Sequence, residues 1–336
     1  MVYVGVDLHR KRSHIAAVDP EGNPLLSRRI DNDPGEFLRI FGELGPEPLE
    51  VAFEATYGWG WFADLLADAG ISTHMSHPLA TKAISAARVK NDAVDARTLA
   101  HLLRTNLLPE AWIAPPEARE ARRLVRMRTS LVRIRSQLKC QVHALVAEHA
   151  VQVPMWDLFG KAGRLLLADL QLPAVSQGRV QASLRMIDAI SDEVAAADRE
   201  IRDLFHSDPR VARLSAIPRI GPVTAAVVVA EVWDASRFPS PDRLCSWAGL
   251  TPSERSSDVH TRRGHISKQG SRWLRWVMVE VAARPDVHPT FRTFHDRIAR
   301  RRGRKIARVA LARRVLTLCY YALRDEGGCR AFPLTG

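Results

Sequence analysis

At 336 residues with 46% hydrophobic side chains, the chain is long enough for two compact domains and too apolar to be mostly disordered. Its 49 Lys and Arg against 37 Asp and Glu give a net charge of +12, which favours a polyanionic partner. No apolar run approaches the length of a membrane span and no lipidation signal is present, so nucleic acid ranks ahead of a membrane surface. The opening MVYVGVDLHRKR places apolar residues before basic ones with no cleavage region, so neither a secretory signal nor a transit peptide is read there and a cytoplasmic location is expected. Cys140, Cys245, Cys319 and Cys329 lie far apart without Cys-x-x-Cys spacing, which argues against a zinc site or a disulfide framework and for free thiols.

In chain order, the apolar run 2–6 ends at Asp7, a second run spans 13–18, and the turn Pro20-Glu21-Gly22-Asn23 leads to a third around 25–30, together a three-strand meander. Phe37, Leu38, Ile40, Phe41 and Leu44 follow at helical spacing, and the strand 49–53 then ends at Glu54. A helix over 59–69 closed by Gly70, a strand over 71–76 and a helix over 92–104 complete the first section. From about Pro115 the pattern changes to long amphipathic helices. Leu124, Met127, Leu131, Ile134, Leu138, Val142 and Leu145 form one series, with Arg126 and Arg133 among its cations. Val180, Leu184, Ile187, Ile190, Val194, Ala197, Ile201 and Leu204 form another. The two are expected to pair as an antiparallel arm or to zip across a dimer. A third section, from Asp208, carries a turn-flanked helix pair over 217–233, a polar loop over 251–270 and basic helices to the end.

Asp7 and Glu54 end two strands that the meander, helix and strand order places side by side. Asp92 and Asp95, three apart on a helix, face the same way. Four such carboxylates can hold a divalent cation, which stabilises charge on a phosphodiester under attack. Taken singly, each acid is as well explained by helix capping or surface charge. An Asp after a first strand also opens sugar kinases and actin-like ATPases, but those require glycines and a hydroxyl next, and here Leu8-His9-Arg10-Lys11-Arg12 follows.

The segments GVDLHRKRSHIAAVD, FEATYGWGWFADLLADAG and KNDAVDARTLAHLL resemble the DEDD, RuvC-like domain of a family of insertion-sequence transposases, relatives of the Piv DNA invertase. The resemblance implies that the family's four acids correspond to Asp7, Glu54, Asp92 and Asp95, holding Mg2+ or another divalent cation. The implied fold class is α/β plus α. It has an RNase H-like (RuvC-like) mixed-sheet domain over 1–110, a helical coiled-coil arm over 115–207 and a mainly helical C-terminal transposase domain over 208–336.

The block SWAGLTPSERSSDVHTRRGHISKQGSRWLRWVMVEVAA resembles the C-terminal domain of the same transposases, where a loop after a Gly-Leu-Thr-Pro turn carries a nucleophilic serine. Counted from Pro252 that serine is Ser257, and counted back from Ile266-Ser267-Lys268 it is Ser256. Ser257 is preferred because the family serine usually precedes a glycine, a place held here by Asp258, and Ser256 is kept in reserve. Serines in polar loops ordinarily do no more than hydrogen bond, so the choice rests on the flanking residues. A serine nucleophile retains the bond energy of a cut strand in a phosphoserine. Arg255, Arg262, Arg263 and Lys268 are placed to bind phosphate oxygens.

Ile217-Pro218-Arg219-Ile220-Gly221-Pro222 looks like a helix-hairpin-helix turn with Arg219 in place of the first glycine, which makes it a DNA-contact candidate and, equally, a structural helix pair. Arg272 and Arg275 alternate with Trp273 and Trp276 on the next helix, where the helical spacing favours tryptophans in the core and arginines turned outward. The run Arg297, Arg300, Arg301, Arg302, Arg304 and Lys305 reads as a solvated face. With Arg126 and Arg133, these cations make up the expected nucleic-acid contacts.

The resemblance further implies site-specific transposition of the encoding element and a structured bridge RNA that pairs with donor and target DNA. It also implies a tetramer of two dimers in which the acidic domain of one subunit meets the serine domain of another. Two rivals are a metal-only nuclease or Holliday-junction resolvase, and a non-catalytic nucleic-acid-binding derivative.

Overall fold

Three strands joined by tight turns open the chain. β1 (Val2–Leu8), β2 (Arg12–Val18) and β3 (Pro24–Asp31) run antiparallel, as the alternation predicts. The structure, a computed structural model, describes residues 1–84, 91–257 and 260–333, and the chain divides into two compact units, Met1–Ala114 and Pro115–Gly336.

In the first unit α1 (Pro34–Glu43) starts at Asp33, whose carboxylate accepts from the Glu36 amide at 3.0 Å. It returns the chain so that β4 (Leu49–Glu54) pairs parallel with β1. α2 (Gly60–Asp68) does the same for β5 (Ser72–Ser76) against β4. After α3 (Pro78–Ile84) and α4 (Asp92–Arg104), β6 (Glu110–Ala111) adds antiparallel to β5, giving a six-stranded mixed sheet in the order β3-β2-β1-β4-β5-β6. That arrangement is compatible with an RNase H-like domain. α3 and β6, with seven and two residues, are too short to leave a periodic signal.

The central strands are covered on both faces, and the period of two assigns their side chains. Val2, Val4, Val6 and Leu8, with Val51, Phe53 and Met75, pack on Phe37, Ile40 and Phe41 of α1 and Phe62 and Leu66 of α2. The opposite face carries Tyr3 and Ala52 against Leu99 and Leu103 of α4. Gly5 lies on this second face. A Cβ there would come 1.9 Å from the Ala96 carbonyl oxygen and 2.6 Å from the Ala100 amide nitrogen, so only glycine lets α4 settle onto β1.

In the second unit the long helices are α5 (Pro116–Glu148) and α7 (Ala174–Leu204). They lie antiparallel within one chain. Arg128 Nε meets Asp198 Oδ1 at 2.9 Å, Arg135 Nη1 donates to Ser191 Oγ at 3.3 Å, and His149 Nε2 meets Ser176 Oγ at 3.0 Å, so one partner descends as the other climbs. At their far end α6 (Lys161–Asp169) and its flanking turns cover Val142, Val146, Val180 and Leu184 with Leu158 and Leu167. At the near end Ala121, Val125, Ile201 and Phe205 enter the same core as the C-terminal helices.

Those helices are α8 (Pro209–Ser215), α9 (Pro222–Val232), α10 (Pro241–Trp247), α11 (Arg272–Val281), α12 (Pro289–Arg302) and α13 (Arg304–Arg324). Between α10 and α11 lie β7 (Pro252–Ser257) and β8 (His260–Ile266), and β9 (Gly328–Cys329) pairs with β10 (Phe332–Pro333) near the end.

Three expectations are corrected here. The helix pair placed over 217–233 begins earlier, with α8, and its turn occupies 216–221. The polar loop over 251–270 is largely an antiparallel hairpin. Its strands, PSERSS and HTRRGHI, are polar at nearly every position, so no alternation of apolar residues marks them. The tryptophans of α11 are not core: Leu274, Val277, Met278 and Val281 form the buried stripe, Trp276 is exposed and Trp273 is half-buried. All four cysteines are free, three of them buried, and no helix among the described residues is long and apolar enough to cross a membrane.

Candidate metal centre and serine hairpin

Asp7 is one step beyond the last β1–β4 ladder pair, Val6 with Phe53, and so stands beside Glu54, while Glu54 pairs with Ser76 of β5. Asp7, Glu54 and Ser76 therefore form a row at the C-terminal ends of three parallel strands, on the face that α4 covers. The side chain of Asn91, just before α4, accepts from the Val94 amide at 2.9 Å, so Asn91 and not Asp92 caps this helix. Asp92 and Asp95 are left in the first turn, where a negative charge is favoured by the helix dipole. Because Ala96 and Ala100 seat the helix on Gly5, that turn is delivered to Asp7 two residues further along β1.

The structure brings together a member of the group that the sequence pattern does not single out. His9 Nε2 lies 3.1 Å from Asp7 Oδ2 and 3.5 Å from Asp92 Oδ1, and one ligand atom from each of Asp7, His9 and Asp92 can be chosen so that all lie within 4.8 Å of one another. The signal was present as the spacing Asp7-x-His9, since residues two apart on an extended chain share a side. The donor set, carboxylates with one imidazole, suits a divalent ion. The Ser76 hydroxyl, buried with no hydrogen-bond partner beside Glu54, suits a hydrated one.

Burial pushes the Asp7 carboxyl above its ordinary value; His9 works against this, and Asp92 and Asp95 add to it. The folded-state value then exceeds the unfolded one. The stability this group contributes is complete below the unfolded value, about 4, and is lost as pH rises through the folded value. Calorimetric melts in a chelator should show thermal stability falling over that range more in the parent protein than in Asp7→Asn. A divalent ion should restore the parent alone. Equal pH dependence in the two proteins would mean that Asp7 is not the strained group.

Beside the acids, His9, Arg10, Lys11, Arg12, Arg29, Asp31 and Asp92 line an open cleft of about 820 Å³. Arg12 is held by Asp31 at 2.8 Å. Arg10, Lys11, Arg12 and Arg29 outnumber Asp31 and Asp92 there, so the cleft is cationic and suits a polyanion.

In the second unit the hairpin register pairs Ser257 with His260, Ser256 with Thr261, Arg255 with Arg262 and Glu254 with Arg263. Ser256 is exposed near the end of β7, and of Ser257 the backbone alone is described. Asp258, standing where the family has glycine, lies outside the described residues. The hairpin's root is tightly built. Gly270 has φ +75°, and a Cβ on it would meet the Trp247 carbonyl oxygen at 1.8 Å. The Ser267 amide donates to the Thr251 carbonyl at 2.9 Å.

The expected phosphate contacts fall into two groups. Arg219, Arg262, Lys268, Arg272 and Arg133 are exposed, and Arg219 has φ +73°, occupying the left-handed conformation that glycine takes with less strain. Arg275 instead donates to the Ala248 carbonyl at 2.8 Å, bracing the hairpin's root. Arg126 forms a two-pronged ion pair with Glu231, at 2.6 and 2.9 Å. Of Arg255 and Arg263 the backbone alone is described.

A strand-end group of acids in a mixed sheet can hold a divalent ion, which suits chemistry on phosphodiesters. Comparison with known proteins agrees. Residues 4–150 match a DEDD transposase family, and residues 211–296 match the transposase IS116/IS110/IS902 family. The chain is 25% identical over 286 residues to a probable family 20 transposase of Pseudomonas aeruginosa, covering 83% of this chain and 82% of that one. It is 24% identical over 282 residues to the transposase for insertion sequence element IS1328 of Yersinia enterocolitica, with 83% and 82% covered. It is also 25% identical over 382 residues to the 43.6 kDa protein of insertion element IS110 of Streptomyces coelicolor, with 96% and 94% covered. By these two domains and these relatives, the chain belongs with the insertion-sequence transposases of the IS110/IS116 family.

Proposed function

We propose that this transposase cuts and rejoins DNA at defined sites through a covalent phosphoserine, with Ser257 as the nucleophile and Ser256 in reserve. In this reading Asp7, Glu54, Asp92 and Asp95 hold a divalent ion, Mg2+ in the cell. The observation that carries it is the meeting of Asp7 and Asp92 at the strand ends, with Glu54 beside Asp7 and Asp95 in the same helical turn. Carboxylates facing a polyanion repel it unless a cation lies between, so a module that merely binds nucleic acid has no use for them. Once bound, the ion neutralises charge that develops on the phosphodiester.

The chain's own residues do the remaining work. The serine hydroxyl gives up its proton and its oxygen bonds to phosphorus, while a deoxyribose oxygen leaves as an alcohol. The phosphoserine then waits for the second DNA end, whose hydroxyl displaces the serine. Arg255, Arg262, Arg263 and Lys268 of the hairpin, with Arg272 and Arg219, bind phosphate oxygens. The cleft between Arg10 and Arg29 carries the backbone past the acids. A structured RNA transcribed beside the gene chooses donor and target, homodimers join into a tetramer, and the protein works in the cytoplasm. The sequence resemblance supports these last roles, and the net charge of +12 fits two nucleic-acid partners.

The test is to incubate full-length protein, the transcript flanking its gene, Mg2+ and a DNA carrying the element junction, then run a denaturing gel. A protein–DNA adduct is expected that disappears in Ser257→Ala and persists in Ser256→Ala. One other reading has an observation in its favour, since Asp7, His9 and Asp92 come together without any serine. Cut DNA with no adduct, insensitive to both serine changes and abolished by Asp7→Ala, would replace the phosphoserine with hydrolysis by a metal-only nuclease.

A further inference from the structure

We propose that His9 is itself a ligand of the metal centre, so that the site carries a nitrogen donor beside its carboxylates and prefers Mn2+ to Mg2+. This rests on the reading of Asp7 and its neighbours as a metal site. Three observations support it.

The first is spacing. Ligand atoms about 2.1 Å from one ion and at right angles to each other stand about 3 Å apart. His9 Nε2 lies 3.1 Å from an oxygen of Asp7 and 3.5 Å from an oxygen of Asp92, and one ligand atom from each of the three lies within 4.8 Å of the others.

The second is the support behind His9. It follows β1 directly, and two side chains grip the backbone there. Asn32 Nδ2 donates to the His9 carbonyl at 2.6 Å, and Asn32 is in turn fixed by the Ser13 hydroxyl at 2.6 Å. Thr56 Oγ1 donates to the Leu8 carbonyl at 3.2 Å. A turn tied at two successive carbonyls holds its imidazole to a small region, which is what a ligand needs from its surroundings.

The third is access. The His9 side chain is 55% exposed and lines the cleft, so its ring can meet an ion arriving from solvent. His14, by contrast, sits opposite Asp7 on β2 and engages the Ser27 hydroxyl at 2.9 Å. It offers a nearby histidine whose Nε2 is already engaged.

An imidazole changes the metal preference. Mg2+ is a hard ion that favours oxygen and keeps much of its water, whereas Mn2+ lies on the series in which nitrogen donors add affinity. Neutral imidazole is also the commonest protein metal ligand.

The experiment uses full-length protein with Mn2+ alone as the probe, and reads it by pulsed electron paramagnetic resonance and by calorimetric titration. Bound Mn2+ should show modulation from a directly coordinated 14N nucleus, lost in His9→Gln and kept in His14→Gln. His9→Gln should weaken Mn2+ about tenfold or more while changing Mg2+ by less than about threefold. Modulation that persists in His9→Gln, or that is absent from the parent protein with Mn2+ bound, would overturn the proposal. Asp7→Asn separates the two levels of the argument. It should abolish Mn2+ binding, and undiminished binding in that variant would overturn the metal centre itself, and the ligation of His9 with it.

Discussion

A Gly5→Ala variant should lose at least tenfold in divalent-metal affinity although none of the acids has been touched. The added methyl would sit 1.9 Å from the Ala96 carbonyl oxygen and 2.6 Å from the Ala100 amide, both backbone atoms of α4, and neither can turn aside as a side chain would. The helix must move away from β1. Asp95 directly precedes Ala96 and Asp92 lies one turn before it, so both move with the helix, while Asp7 stays on the strand. Displacing one ligand by an ångström is enough to spoil a site that needs several at once. Overpacking of this kind also costs about 1–3 kcal/mol of stability. Calorimetric titration with Mn2+, beside a thermal melt of the same sample, reads both effects. Parent-like affinity in a folded Gly5→Ala protein would show that the contact between α4 and β1 does not set the position of these acids.

Arg126→Ala should be the most damaging loss of a single cation in the C-terminal unit, by about 3 kcal/mol, because it strands a buried carboxylate. Glu231 is wholly buried on α9, a helix otherwise built from Pro, Val, Thr and Ala. Its two oxygens take the Arg126 Nε and Nη2 hydrogens, and Ser271 adds a third bond at 2.8 Å while capping α11. Removing Arg126 leaves the carboxylate one direct side-chain hydrogen bond, from Ser271, with the charges of Arg122 and Arg237 nearby. The half-exposed position of the guanidinium puts the expected cost at the lower end for a broken buried pair. For a unit of this size, that cost corresponds to a fall in Tm of roughly 6–12 °C.

Adding Glu231→Leu to Arg126→Ala should recover much of the loss, since the demand for a partner disappears with the carboxylate. Arg133→Ala, on an exposed part of the same helix, should change stability by less than about 0.5 kcal/mol. If Arg126→Ala leaves Tm unchanged but lowers the salt dependence of DNA binding by about one unit, the residue belongs to the phosphate-binding surface instead.

The two arginines show where a linear reading stops. Arg126 and Arg133 are seven apart on one amphipathic helix and look alike in the sequence, as do Arg272 and Arg275. One of each pair is exposed to solvent, while the other meets a buried acid or the carbonyls at the base of the hairpin. Which cation finds an internal partner depends on residues about a hundred positions away in the case of Arg126. The hairpin was hidden for a different reason. Strand patterning is visible only where apolar residues alternate with polar ones, and PSERSS and HTRRGHI carry hardly an apolar residue. His9 was obscured by its own neighbours, because Arg10, Lys11 and Arg12 make the turn look like a plain basic run.

Much else follows from sequence periodicity. The meander, the parallel pair that brings Asp7 beside Glu54, and the two long helices all carry repeats of two or of three and four residues, and each appears in the structure close to its expected bounds. Such features are local, since a side chain's face is fixed by its own strand or helix. The sequence by itself therefore determined which acids end strands, which face Asp92 and Asp95 share, and that both long helices need an apolar partner. Only the tertiary structure decided that Gly5 admits α4 to bring Asp92 toward Asp7, that His9 stands between those carboxylates, and that Arg126 guards a buried Glu231. These depend on how closely separate elements approach, and that distance is set by packing across the sheet and the core.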